Sequence, residues 1–325
     1  MNGKRSKSVI AAAASVILVA GAFFARKNAQ PVTADVFFLD TYCTMTVYKG
    51  GDKDVLPAAK EELKRYDALF NAESESSDIY RINHRSSDTV PISEETAEML
   101  SMAYEVQKCS GGALWMGIRP LTELWDIKNR KSRPSDDEIR KALRLSEEAS
   151  FEIEGPGPEG WVFRAGNEGT MIEAGAFAKG YIADRLKELF IEKGVRSAII
   201  DLGGNVHTVG ENTDGTPFRI GIKDPESAGS YQYLLEVTDE SVVTAGSYER
   251  YFEENGIRYH HILDPKTGCP ADTGLSSVTV KGPSSFVCDA LATACFVLGE
   301  EEGRALIEKY NSENGTGYEG IFIKE

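Results

Sequence analysis

Residues 173–205 read EAGAFAKGYIADRLKELFIEKGVRSAIIDLGGN. The small residues Gly175, Ala176 and Ala178 lead into apolar positions at helical spacing, which predicts a helix over 178–192. The apolar run Ala198-Ile199-Ile200 predicts a strand over 197–202, and Gly203-Gly204-Asn205 supplies positive φ values at its end. Downstream, short strands are predicted over 218–222, 231–237, 241–244, 258–263 and 276–280, with one further helix over 284–297. Upstream, 36–48 reads as extended and 58–70 as a helix, and Ser93 with Glu95 opens a second helix that Gly111-Gly112 closes. A loop with Trp115, Pro120 and Trp125 follows, then a short helix from Ser135-Asp136-Asp137-Glu138 and two strands within 151–163 around Gly155-Pro156-Gly157. Strand groups interrupted by single helices predict an α+β architecture rather than a regularly alternating parallel sheet. No internal repeat is present.

The chain has 325 residues, 41% hydrophobic and 27% charged, enough for a sizeable core. A formal net charge of -15 disfavours nucleic acid as a partner, since a polyanion needs a broad basic face. Residues 1–33 stand apart. Lys4, Arg5 and Lys7 precede an uncharged apolar run over 9–25, and Arg26 and Lys27 follow it. A run of this length predicts a membrane anchor or a signal segment. The upstream positive charges place the rest of the chain, 34–325, outside the cytoplasm. The five cysteines, at 43, 109, 269, 288 and 295, form no metal-type pairs. Cys288 and Cys295 lie about 10 Å apart along a helix axis, too far to bridge, so the thiols are expected to be free.

Four segments concentrate residues that a core does not need. Gly175 to Tyr181, with Lys179, offers close backbone approach, free helix N–H groups and a positive charge to a phosphate. Asp201 to Asn205 forms a strand-end turn. His260 and His261 precede the turn Asp264-Pro265-Lys266-Thr267-Gly268; on a strand they would point to opposite faces, so only one can serve a given site. Asp289 and Thr293, four apart on a helix, project a carboxylate and a hydroxyl from one face, a pair suited to a hard cation. Taken singly, each has an ordinary structural explanation as a turn, a cap or a surface residue.

In order, these segments resemble the FAD:protein FMN transferase family, often called the ApbE family, over roughly residues 36–325. The resemblance also rests on Leu39-Asp40-Thr41, Ser77-Asp78-Ile79, Arg81-Ile82-Asn83, Gly112-Ala113-Leu114, Pro120-Leu121 with Trp125, and Thr244-Ala245-Gly246. It implies a two-part α+β fold with a T-fold-like core. It also implies Mg²⁺-dependent attack of an acceptor protein's threonine hydroxyl on FAD, giving protein-bound FMN and AMP. Carried over by position, Asp289, Thr293 and the carbonyl of Ala176 would hold Mg²⁺. Glu173, Lys179, Ala113, Leu114, Trp115 and Leu39 would lie at FAD. His261 would approach the pyrophosphate, with His261 or Asp264 activating the hydroxyl and Lys179 cancelling charge. Two departures stand out: Trp115 replaces a family Asp, and Glu173 is one methylene longer than the usual Asp. An FAD pyrophosphatase and a non-catalytic flavin-binding protein are the competing readings.

Overall fold

The computed structural model describes residues 30–325 except positions 40, 159, 226, 228 and 229. The expected anchor run at 9–25, and Asp40 of the Leu39-Asp40-Thr41 motif, lie outside the described residues. Strand β1 (Val32–Phe38) reverses at Leu39, held at φ 42°, into β2 (Thr41–Gly50). The run expected as one extended stretch is therefore an antiparallel pair with Phe38 opposite Thr41. No glycine or proline marks that reversal, which is why polarity alone misses it.

Helix α1 (Val55–Phe70) buries Ala59, Leu63, Tyr66 and Phe70 on one face. Helix α2 (Asp78–Asn83) and β3 (Thr89–Ile92) lead into α3 (Glu94–Cys109), where the Ser93 hydroxyl accepts from the N–H of Thr96. The segment expected as a loop around Pro120 is a helix, α4 (Arg119–Trp125), because proline in the first turn removes no needed donor. Helix α5 (Asp136–Glu147) opens on the Ser135/Glu138 capping box, and β4 (Phe151–Gly157) pairs with β5 (Gly160–Ala165) as two expected strands, but Gly155-Pro156-Gly157, expected as their turn, lies at the end of β4 with the reversal just beyond it.

The second half runs α6 (Ala178–Glu192), β6 (Val195–Leu202), β7 (Asn205–Gly210), β8 (Phe218–Lys223), β9 (Tyr231–Val237) and β10 (Ser241–Gly246). It continues with β11 (Tyr251–Glu254), β12 (Ile257–His260), β13 (Leu275–Gly282), α7 (Ser285–Leu298), α8 (Glu300–Asn314) and β14 (Glu319–Lys324). Among the described residues one seven-stranded sheet takes the order β1-β2-β6-β7-β10-β13-β14. Every pairing in it is antiparallel. Helix α6 packs on β6 and β7, α7 packs on β10 and β13, and the two helices pack against each other. Segregated helices on an antiparallel sheet are the α+β architecture expected.

A smaller core of Leu121, Trp125, Ile139, Ala142, Phe252 and Leu263 lies beneath α4, α5 and the β11–β12 hairpin. It anchors the loop after β12: the Trp125 indole donates to the carbonyl of Gly268 at 2.7 Å, and Gly268 packs on Leu121 and Ile139. All five cysteines are free, with Cys288 and Cys295 buried in α7 as expected.

Candidate active site

The site grows from the crossing of α6 and α7, which Gly180 permits. A Cβ built on Gly180 would lie 2.6 Å from the Cα of Phe286 and 2.8 Å from its nitrogen, so only a hydrogen fits. The approach lets the N–H of Gly180 donate to Asp289 Oδ2 at 3.0 Å. The clasp is reciprocal, since Asp184 of α6 caps α7. Its carboxylate accepts from the Ser284 hydroxyl at 2.7 Å and from the backbone N–H groups of Ser285 and Phe286 at 2.7 and 3.0 Å.

Asp289 is 6% exposed and is the one charged residue of a largely apolar helix. Burial raises its carboxyl above the usual range, opposed by the charge of Lys179 and the N–H of Gly180. The Asn205 side chain also reaches toward Asp289, yet its buried Nδ2 finds no partner at ordinary hydrogen-bond length. Thr293 follows one turn later, half-buried, and half-buried Ala176 lies two residues before α6. No cluster of three or more His, Cys, Asp or Glu is gathered for a metal among the described residues. A cation here would need mixed oxygen donors: the Asp289 carboxylate, the Thr293 hydroxyl, the Ala176 carbonyl and phosphate oxygens. That hard donor set, around a buried carboxylate short of compensation, fits Mg²⁺.

The charge of Lys179 acts on Cys43, Glu249, His261 and Asp289, so residues far apart in sequence share one neighbourhood. Gly203, at φ 71°, lies over Thr41, and the N–H of Gly204 donates to Asp201 Oδ1 at 2.8 Å. Asn205 departs from the expectation of a positive φ: it begins β7 and is buried.

The expected strand over 258–263 ends at His260, so His261 sits just past it and strand alternation does not orient the pair. His260 is structural, buried with Nε2 3.0 Å from the carbonyl of Ala271. His261 is half-buried just past the end of β12. Burial, then the charge of Arg250, pushes it down to about 3, so the ring is neutral at pH 7. With Nδ1 3.3 Å from the Arg250 carbonyl, the proton is assigned to Nδ1 and Nε2 is left as an acceptor. Asp264 shapes the loop: its Oδ1 accepts from Lys266 N at 2.8 Å, and its carbonyl accepts from Gly268 N at 2.8 Å.

Glu173 is held by several groups. Its Oε2 accepts from the Thr122 hydroxyl at 3.0 Å and pairs with Arg119 at 3.3 Å, while Oε1 accepts from Gly175 N at 3.0 Å. Ala113 and Leu114 are buried in the main core. The Trp115 indole N–H donates to the carbonyl of Ser146 at 2.9 Å, which fixes the ring. Leu39 sits half-buried at the β1–β2 reversal. Asp184 within α6, Lys223 at the end of β8 and Glu249 in the loop after β10 carry no spacing signal in the sequence; only the nearby Thr244-Ala245-Gly246 stretch pointed toward Glu249.

A profile of the ApbE family matches residues 39–316. The FAD:protein FMN transferase of Treponema pallidum is 32% identical over 302 residues, spanning 88% of this chain and 82% of the relative. One from Klebsiella pneumoniae is 36% identical over 250 residues, spanning 76% of each. The crystal structure of the ApbE protein of Thermotoga maritima superposes with TM-score 0.79 at 29% identity, covering 90% of this chain and 94% of that one. The apo flavinyl transferase ApbE of Pseudomonas stutzeri gives 0.75 at 27% identity, covering 91% of each.

Proposed function

Because the chain belongs to the ApbE family, we propose that it is an FAD:protein FMN transferase, moving FMN from FAD onto an acceptor protein with release of AMP. The finer reading is that the acceptor group is a threonine hydroxyl and that Mg²⁺ assists. What supports it is that the charge of Lys179 acts on Asp289, on His261 and on Glu249, the last lying beside the Gly204 turn.

Asp289, Thr293 and the Ala176 carbonyl would hold Mg²⁺, which when bound neutralises charge on the diphosphate oxygens. Lys179 brings a second positive charge to the same oxygens. Neutral His261, with Nδ1 at the Arg250 carbonyl, keeps Nε2 as a hydrogen-bond acceptor that could orient a substrate group, while Asp264 fixes the loop that carries it. Gly203 and Gly204 let backbone approach the dinucleotide without side chains intervening. Glu173, Ala113, Leu114, Trp115 and Leu39 would form the flavin end, with the indole stacking on a ring where the family places a carboxylate.

The export signal in the sequence supports an extracytoplasmic enzyme anchored to the cytoplasmic membrane through residues 1–33. Among the described residues no helix is long and apolar enough to cross a membrane.

The test is incubation of the chain with FAD, Mg²⁺ and a co-expressed acceptor. Covalent flavin on a threonine of the acceptor is expected. An unmodified acceptor with free FMN and AMP would instead indicate a pyrophosphatase, and FAD bound without turnover a carrier.

A further inference from the structure

Helix α4 touches two separate parts of the candidate site. At its far end Trp125 donates to the Gly268 carbonyl, in the loop that follows His261. At its near end the Arg119 guanidinium meets three carboxylates: Nε donates to Glu123 Oε1 at 2.9 Å, Nη2 to Glu73 Oε1 at 3.0 Å and Nη1 to Glu173 Oε2 at 3.3 Å. The three pairs are unequal. The Glu73 and Glu123 side chains are 78% and 41% exposed, so water screens them, whereas Glu173 is 22% exposed and Arg119 13%. The pair with Glu173 is therefore the one that solvent weakens least. Thr122 is no substitute for the guanidinium, because its single hydroxyl proton has two acceptors at 3.0 Å, Glu173 Oε2 and the Arg119 carbonyl.

What Glu173 controls is the turn into α6. Its backbone N–H donates to the Met116 carbonyl at 2.8 Å, just ahead of α4, and its Oε1 accepts from Gly175 N at 3.0 Å. The absence of a side chain at Gly175 permits that approach, since an added Cβ would lie 3.1 Å from Oε1. Ala176 follows, then Lys179 in the first turn of α6, then Gly180, whose N–H holds Asp289. With one carboxylate oxygen on α4 and the other on the turn, Glu173 passes the position of Arg119 to the groups placed above around the diphosphate.

We propose that Arg119 is a positioning residue: through Glu173 it fixes the 175–179 turn in the geometry that receives FAD. The planar fork of the guanidinium donates in three directions at once, which the point charge of a lysine does not reproduce. The kinetic consequence of this assignment rests on the transferase reading above; the structural consequence does not.

The test compares the full-length wild type with Arg119→Lys, Arg119→Met, Glu173→Gln and the double variant Arg119→Met with Glu173→Gln. Amide hydrogen exchange followed by mass spectrometry, on the chain without FAD or metal, should be about 10-fold faster over 173–180 in Arg119→Met, with β13 and α7 exchanging as in wild type. With FAD, Mg²⁺ and an acceptor protein, the same variant should raise KM for FAD about 10-fold and leave kcat within about threefold, because the turn binds ground state and transition state alike. Arg119→Lys should fall between wild type and Arg119→Met in both readouts. The double variant should match Glu173→Gln alone, since both substitutions break the same link. Wild-type exchange over 173–180 in Arg119→Met overturns the assignment, and so does exchange that quickens equally throughout the chain, or a double variant whose KM shift is the product of the two single shifts. A wild-type chain that flavinylates nothing overturns the transferase reading, while the exchange data still decide the role of Arg119.

Discussion

Replacing Gly180 by alanine would strain the contact that seats Asp289. The new methyl carbon would lie 2.6 Å from Phe286 Cα, where ordinary contact begins at 3.4 Å, so α6 and α7 must part by about 0.8 Å. The obstructing atoms are backbone, and rotating a side chain gives no relief. Overpacking of this kind costs about 1–3 kcal/mol. Stretching the bond from Gly180 N to the Asp289 carboxylate adds roughly 1.5–3 kcal/mol, since one partner is charged and buried. Alanine's better helix propensity returns about 1 kcal/mol. The net loss is about 1.5–5 kcal/mol, or roughly 3–20 °C in melting temperature for a chain of this size. Activity should fall further, about 100-fold, because a displacement near 1 Å at the reacting groups is enough for that. Thermal unfolding followed by circular dichroism, with turnover measured well below the transition, checks both. A variant that melts with wild type and turns over normally would refute the reasoning that this glycine sets the position of Asp289.

Gly203→Ala should lose about 2–4 kcal/mol by urea unfolding, because φ is 71° and the added carbon would lie 2.7 Å from Thr41 Cγ2. Trp125→Phe strips the Gly268 carbonyl of its donor and should cost about 1–3 kcal/mol, together with a raised KM for FAD as the loop after β12 loosens. His260 and His261 are held below the ordinary 6.5, His261 at about 3, so the unfolded chain takes up protons first. Stability should therefore be full above 6.5 and decline as pH falls toward 3, and His261→Asn should flatten that decline in denaturant titrations across this range. In thiol labelling, Cys269 should react in the native state, Cys109 more slowly because burial and Glu313 raise its thiol, and Cys43, Cys288 and Cys295 only on unfolding, with no disulfide on a non-reducing gel.

Elements with strong periodicity or explicit caps were legible in the chain. The helix over 178–192, the Ser93 cap and the Ser135/Glu138 box all lie where spacing predicts. The reversal at Leu39 was hidden because a leucine with positive φ gives no turn signal, and α4 was hidden because Pro120 reads as a breaker unless it occupies the first turn. His261 falls beyond β12 because the strand gives way to a loop that bonds elsewhere, to Arg250 and Ala271. The motif residues Lys179, Asp201 and Asp289 were visible because glycines and helix spacing flank them. Asp184 and Glu249 were not, since one acts across a helix crossing and the other stands in a mixed-charge loop, and neither arrangement has a local pattern.

In the proposed reaction Asp289 helps hold a divalent ion against the diphosphate of FAD. The most direct measurement of this is AMP release from FAD by the full-length chain with an acceptor, in Mg²⁺ and in EDTA, for wild type and Asp289→Ala. Turnover in Mg²⁺ by wild type alone, abolished by EDTA and by the substitution, is the predicted result. Equal AMP release with and without chelator, or an Asp289→Ala variant as fast as wild type in Mg²⁺, would contradict it.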